Sequence, residues 1–146
     1  MDNNYSSKRL HMALISTYSL HKKSSFQEFQ KLDLTTGQPK VLSILSQKEG
    51  YLQKDLAKRA HVEPATMTSV LNNMIKKGLV YKEPTYVSGG KRANAIYLTE
   101  KGRDISIQVN KIVDDMEELS FQGFSDKEKQ LLINLLDRII SNLKNN

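Results

Sequence analysis

Pro64 decides much of what the stretch "HVEPATMTSVLNNMIKKGLV", His61 to Val80, can become. Proline is tolerated in the first turn of a helix and breaks its interior, so a helix must begin there and any earlier one must already have ended. From that start Met67, Val70, Leu71 and Met74 recur at helical spacing on one face. Ala65, Ser69, Asn72 and Lys76 occupy the opposite face, flanked by Thr68 and Asn73. No acid stands between Glu63 and Glu83. A merely solvated face would mix Glu with Lys, so this one is built for something else.

Just upstream, "LQKDLAKRAHV" reads as a short helix with Leu56, Ala57 and Ala60 inward, and His61–Val62 as a tight turn. Val62 and Met67 have the spacing of a hydrophobic staple. Two short helices so joined make a helix-turn-helix. After Gly78 the period changes. Leu79 to Tyr81 begin a strand, Ser88-Gly89-Gly90 supplies a turn, and Arg92 to Leu98 return. Pro84 and the polar tip predict an exposed two-stranded ribbon rather than a central sheet. A helix-turn-helix followed at once by a basic-tipped hairpin is a winged helix, so the fold class is mainly α with a small β-hairpin wing.

Longer helices flank this unit. Residues 7 to about 31 carry Leu10, Leu14, Ile15, Tyr18, Phe26 and Phe29; a second helix carries Val41, Leu42, Ile44 and Leu45, capped by Thr35 or Thr36 and ended at Gly50. Thr99 can cap a helix reaching about residue 119. Its Ile105, Val109, Ile112, Met116 and Leu119 step by four and three, as in a coiled-coil seam. "SDKE" is a capping box for a last helix with a doubled stripe: Leu131/Leu132, Leu135/Leu136, Ile139/Ile140, then Leu143. So wide an apolar face needs partners on two sides, and a symmetric dimer is the economical solution. The dimerisation set is Leu10, Leu14, Ile112, Met116, Leu136, Ile139 and Leu143. The division predicted is one domain over 1–146, with a winged lobe at 34–102 and a helical dimerisation region at 5–32 and 103–146. A monomer folding these helices over its own core is the competing arrangement.

Charge narrows the partner. Net charge is +6, and residues 53–103 hold ten bases against four acids while the rest of the chain is balanced, which fits a polyanion. The absence of cysteine excludes disulfides and cysteine-ligated zinc. With no membrane-length apolar run and no signal-peptide pattern, a cytoplasmic location is expected. His11, His21 and His61 are scattered over different elements, Gly89-Gly90-Lys91 lacks phosphate-loop spacing, and no nucleophile–base pair stands out. Neither a metal site, a cofactor nor an enzyme is expected.

With these residues placed, the chain resembles the MarR family of bacterial transcription regulators. The motifs are "LTTGQPKVLSIL", like the family's second helix, "LQKDLAKRAHVEPATMTSVLNNMIKKGLV", like its helix-turn-helix, and "KRANAIYLTEKG", like the second wing strand and fifth-helix entry. The resemblance implies a homodimer joined through its terminal helices, a palindromic double-stranded DNA operator and, often, a small organic effector bound between dimer and DNA-binding lobes. Three positions depart from the pattern. Leu52 replaces a frequent Ser or Thr and can neither cap nor hold a phosphate; Glu63 is a weaker cap than Asp or Ser; and Gly90-Lys91-Arg92 replaces Asp-x-Arg at the wing.

On this reading the polar face enters the major groove. Thr68, Ser69 and Asn72 are short hydrogen-bonding groups; Asn pairs bidentately with adenine and a Thr methyl touches the thymine methyl. Ala65 and Asn73 complete the face. Thr66 lies in the first turn, where free N–H groups favour phosphate, and Lys76 and Lys77 reach toward the flanking backbone. Lys91 and Arg92 at the wing suit a narrow minor groove. Tyr5, Tyr18 and Tyr97 are candidates to line an effector cavity. Two rivals remain: a constitutive architectural DNA binder without an effector, and a helical protein–protein module.

Overall fold

The last turns of the short helices show how the chain reverses. Residues 9–146, described by a computed structural model, form α1 (Leu10–Lys31), α2 (Gln38–Gln47), β1 (Tyr51–Leu52), α3 (Gln53–Arg59), α4 (Pro64–Lys76), β2 (Val80–Val87), a 3-10 turn (Ser88–Gly90), β3 (Lys91–Leu98), α5 (Glu100–Ser120) and α6 (Asp126–Lys144). At the end of α3, His61 takes a left-handed conformation (φ 52°); its N–H donates to the Lys58 carbonyl and that of Val62 to Ala57. This double closure satisfies carbonyls the helix leaves open and turns the chain straight into α4. Gly78 (φ 73°) repeats the device after α4, with Gly78 and Leu79 donating to Ile75 and Met74. There the residue is the one that carries no Cβ penalty.

Both helices of the motif bury the faces that their periodicity marks. Leu56 and Ala57 of α3 and Met67, Val70, Leu71 and Met74 of α4 join Val41, Leu42 and Leu45 of α2, Val80, Ile96 and Leu98 of the sheet and Val109 of α5 in one core. Pro64 opens α4 at its first position, as expected. The α2 start differs from the capping predicted: neither Thr35 nor Thr36 caps it. Gly37 takes that place without a side-chain bond, and buried Gln38 reaches back so that its Oε1 accepts the Thr35 N–H at 3.1 Å. That bond fixes the loop before α2 and leaves the helix's own first N–H groups without a side-chain cap.

The wing is more than a ribbon at its root. Strand order is β1-β3-β2, antiparallel throughout, with Tyr51 opposite Ile96 and Leu52 opposite Ala95. Two-residue β1 has no alternation for a sequence pattern to show. Beyond Ala95 toward the tip only β2 and β3 pair, and there the two-stranded ribbon holds; Pro84 sits on edge strand β2 opposite Asn94.

The long helices divide their apolar surface in two. In α5, Val109 and Met116 are buried within the protomer, Ile105 packs half-buried on the core, and Leu119 stays exposed. The four-three stepping therefore serves this chain's own core at Val109 and Met116, and Met116 is a correction to the dimerisation set. The cause is α1 and α2, which lie against that side of α5. In α6 no residue is buried, and Leu131, Leu132, Leu135, Ile140 and Leu143 are exposed with Leu10 and Leu14 of α1. The predicted capping box is present: Ser125 and Glu128 exchange bonds of 2.9 and 3.1 Å, which hold the Glu128 carboxyl below its usual range. That contribution is present in the carboxylate form and is lost as pH falls through the lowered value.

Where α4, the wing and α5 meet, backbone touches backbone. A Cβ built on Gly102 would lie 2.0 Å from the Leu79 carbonyl oxygen and 3.3 Å from Leu98 Cδ2. The Thr99 N–H donates to that same carbonyl at 3.0 Å, and the Thr99 hydroxyl accepts the Gly102 N–H as the α5 cap. Gly102→Ala is therefore expected to lower stability by about 3 kcal/mol or more, because the nearest neighbour is the Leu79 backbone, which cannot turn aside as a side chain can. Denaturant titration measures this, and a change below about 0.5 kcal/mol would contradict it.

Candidate nucleic-acid interface

Ala65, Thr66, Thr68, Ser69, Asn72, Asn73 and Lys76 are all exposed on α4, on the side away from its four buried residues. Pro64 and the two-bond turn at His61 start the helix; Gly78 stops it after Lys76, so the polar face is one short, rigid ridge. Lys91 and Arg92 are exposed at the wing tip. Lys54, Lys58, Arg59, Lys76, Lys91 and Arg92 form no ion pair among the described residues, which leaves their charge available to an outside anion. The wing turn is built on positive φ at Gly89 and Gly90, with open space around both.

Side-chain detail changes two assignments. Lys77 is committed inward: its Nζ donates to the Asp33 carbonyl and, at 3.1 Å, to Gln38 Oε1. It ties the end of α4 to the α1–α2 loop and is withdrawn from the flanking backbone that it was predicted to reach. Thr68 remains on the face, but its hydroxyl donates to the Pro64 carbonyl (3.1 Å) and accepts from Gln53 Nε2 (2.9 Å). Sequence spacing could not bring Gln53, fifteen residues earlier in the chain, to this surface. Tyr86 was also missed. It stands opposite Arg92 across the wing and is 75% exposed, a placement that only the strand register reveals. Leu52 and Glu63 precede α3 and α4 without side-chain caps, as their residue types imply.

A cavity of about 350 Å³ lies between α1, α2 and α5, lined mainly by apolar groups including Phe26, Phe29, Pro39 and Met116, with His21, Lys22 and Lys40 at its polar parts. Tyr18 lines it. Tyr97 does not: it stacks on Tyr81, ring centroids 5.6 Å apart. Tyr5 lies outside the described residues. The cavity wall includes Leu34 to Gly37, the same loop that Lys77 and Gln38 anchor to the end of α4. Among the described residues no cluster of His, Asp and Glu has a metal site's arrangement, and no helix is long and apolar enough to cross a membrane.

An exposed, acid-free second helix beside a basic hairpin defines a winged helix-turn-helix protein. The family model for the MarR family matches residues 34–85. The HTH-type transcriptional regulator YybA of Bacillus subtilis (strain 168) is 27% identical over 80% of this chain and 77% of its own. Among solved structures, a MarR-family regulator from Silicibacter pomeroyi is 25% identical with a TM-score of 0.78, over 89% of this chain and 86% of the other. One from Listeria monocytogenes, complexed with a 26mer DNA, is 21% identical with a TM-score of 0.84 over 93% and 89%. Over residues 34–85 the chain is thus similar to the MarR family, and its fold is that of solved MarR-family regulators.

The adjacent lysines should separate by experiment. Lys76→Ala is expected to lower the salt dependence of DNA binding by about one unit per protomer and to change stability by less than about 0.5 kcal/mol. Lys77→Met should do the reverse, costing about 1–2 kcal/mol of stability through its lost charge-assisted bonds while leaving the salt slope unchanged. Equal slopes for the two variants would refute the distinction.

Proposed function

We propose that this protein is a homodimeric repressor that binds a palindromic operator and releases it when a small organic molecule occupies the cavity between α1, α2 and α5. The observation that carries DNA readout is the exposed face of α4, thin, polar and free of acids beside a wing whose bases form no ion pair among the described residues. Ser69 and Asn72 reach base edges, and Asn73 widens the polar surface beside them. Thr66 and Lys76 hold phosphates at the two ends of the helix, and Lys91 and Arg92 follow the minor groove. The Listeria relative's complex with a 26mer DNA supports DNA as the partner.

Two features support the assembly and its control. An α6 with no buried residue, next to exposed Leu10 and Leu14, leaves an apolar surface that a second copy covers symmetrically. Ile112, Leu136, Ile139 and Leu143 complete that surface. A largely apolar cavity joined to the end of α4 through the Lys77–Gln38 loop favours effector control over constitutive architectural binding. A ligand that changes that loop has a direct packing route to the DNA-reading helix.

In vitro selection of bound DNA tests the readout. Two inverted half-sites about one helical turn apart are expected. Asn72→Ala should cost about 1–3 kcal/mol on the selected site and relax one base pair in each half. An equal loss on random DNA would remove Asn72 from base readout. Assembly has its own test: Leu136→Asp places a charge in an apolar interface, so sedimentation should show monomers or unfolded chain, with DNA affinity lost in parallel. A monomeric wild type in dilute solution would end the dimer reading.

A further inference from the structure

We infer that Gln53, at the start of α3, reads a base pair of the operator, and that Thr68 is the positioning residue that aims it. The inference rests on the DNA-reading role of α4 and adds to it a specificity determinant outside that helix. Its starting point is the hydrogen-bond capacity of Thr68. A hydroxyl has a single hydrogen, and that of Thr68 is directed to the Pro64 carbonyl at 3.1 Å. Gln53 Nε2 occupies one of its acceptor positions at 2.9 Å. Thr68 is left with a methyl and one lone pair, so it has no donor to offer a base edge.

Gln53 has what Thr68 lacks. Its amide uses one of two N–H groups on Thr68; the second N–H and the carbonyl Oε1 make no hydrogen bond among the described residues. A donor and an acceptor side by side on one planar amide are the complement of adenine's N7 and N6 amino group. Other purine and pyrimidine edges match only one of the two. The chemistry therefore assigns Gln53 an A·T pair.

The location suits that task. Gln53 lines a surface cleft of about 380 Å³ with Lys54 of α3, Ala65 and Thr68 of α4, and Asn94 of β3. The cleft thus runs between the first turns of both motif helices and the inner edge of the wing. Ala65 beside it has only a methyl, which leaves room above the amide for an incoming base edge. Gln53 is half-buried rather than free in solvent, and its bond to Thr68 fixes a side chain that otherwise has several rotamers to lose on binding. A brace between α3 and α4 would need the Nε2 bond alone, whereas here a second N–H and a carbonyl stand beside the cleft without a partner among the described residues.

The test compares DNA sequences selected by wild type, Gln53→Ala, Thr68→Val and Thr68→Ser, with thermal melts to confirm folding. Gln53→Ala should lose preference at one A·T pair in each half-site and weaken the best site roughly tenfold or more, while random DNA at low salt is bound nearly as before. Thr68→Val keeps the methyl but frees Gln53, and should relax the same base pair; Thr68→Ser keeps the hydroxyl and should restore it. A Gln53→Ala profile identical to wild type overturns the inference, whether affinity is unchanged or falls uniformly, as it would for a phosphate contact or a brace. So does an unaltered profile for Thr68→Val. A wild type without any sequence preference would instead remove the DNA-reading role on which the inference rests, so the two failures are told apart by the wild-type profile.

Discussion

The carbonyl of Leu79 is the point on which the arrangement turns. It accepts the Thr99 N–H, and Gly102 passes so close that a methyl there would overlap it. Three boundaries meet at that contact. The left-handed Gly78 ends α4, the pairing of Val80 with Leu98 starts the wing, and the Thr99 cap starts α5. Lys101 adds a bond from α5 to the Lys77 carbonyl. Because each element begins or ends within a few residues of the others, the angle of α4, the root of the wing and the long helix are set together. A side chain at residue 102 would separate them by the thickness of a methyl group, and packed interiors do not absorb such a change without strain.

From that junction outward the molecule is complete on one side and open on the other. The winged lobe encloses its own core, with Leu42, Leu56, Leu71, Met74 and Ile96 fully buried. The helical end does not. α6 has no residue removed from solvent, although its leucines and isoleucines form a face as wide as any in the core. Apolar surface of that extent on helices is favoured only when it is covered, and covering it gains more per residue than the exposed charges beside it can offset. The two sides of the molecule thus differ physically: one has a closed core, the other an apolar face still open to solvent.

Between them lies a small set of polar contacts that convert a helix surface into an instrument. Gln38, almost wholly buried, bonds both the Thr35 N–H and Lys77 Nζ, so the loop that walls the cavity is held to the last turn of α4. Thr68 and Gln53 join the second turn of α4 to the first turn of α3. Both halves of α4 are therefore braced by side chains from neighbouring elements. This bracing sorts neighbouring bases: Lys77 is inward and Lys76 outward, one residue apart.

Much of this was legible in the linear chain, and for a definite reason. Pro64, Gly78, the buried quartet of α4 and the Ser125 capping box are local signals, in which backbone geometry and helical period act over four residues or fewer. They determined that a helix-turn-helix, a wing and two long helices exist, and which face of α4 is outward. The amphipathic stripe of α5 was equally visible, but a stripe states only that it must be covered. Whether Met116 meets its own α1 and α2 or a second chain is a matter of which surface arrives first, and the fold brings the protomer's own helices. Likewise β1 is too short for alternation to show, and α2 starts at Gly37 without a side-chain cap while Gln38 ties down the preceding loop. The bonds of Lys77 and Thr68 with Gln38 and Gln53 join residues 39 and 15 positions apart. Only tertiary structure decides such pairs, because the energy of a hydrogen bond depends on distance in space, and the chain's own order carries no measure of that.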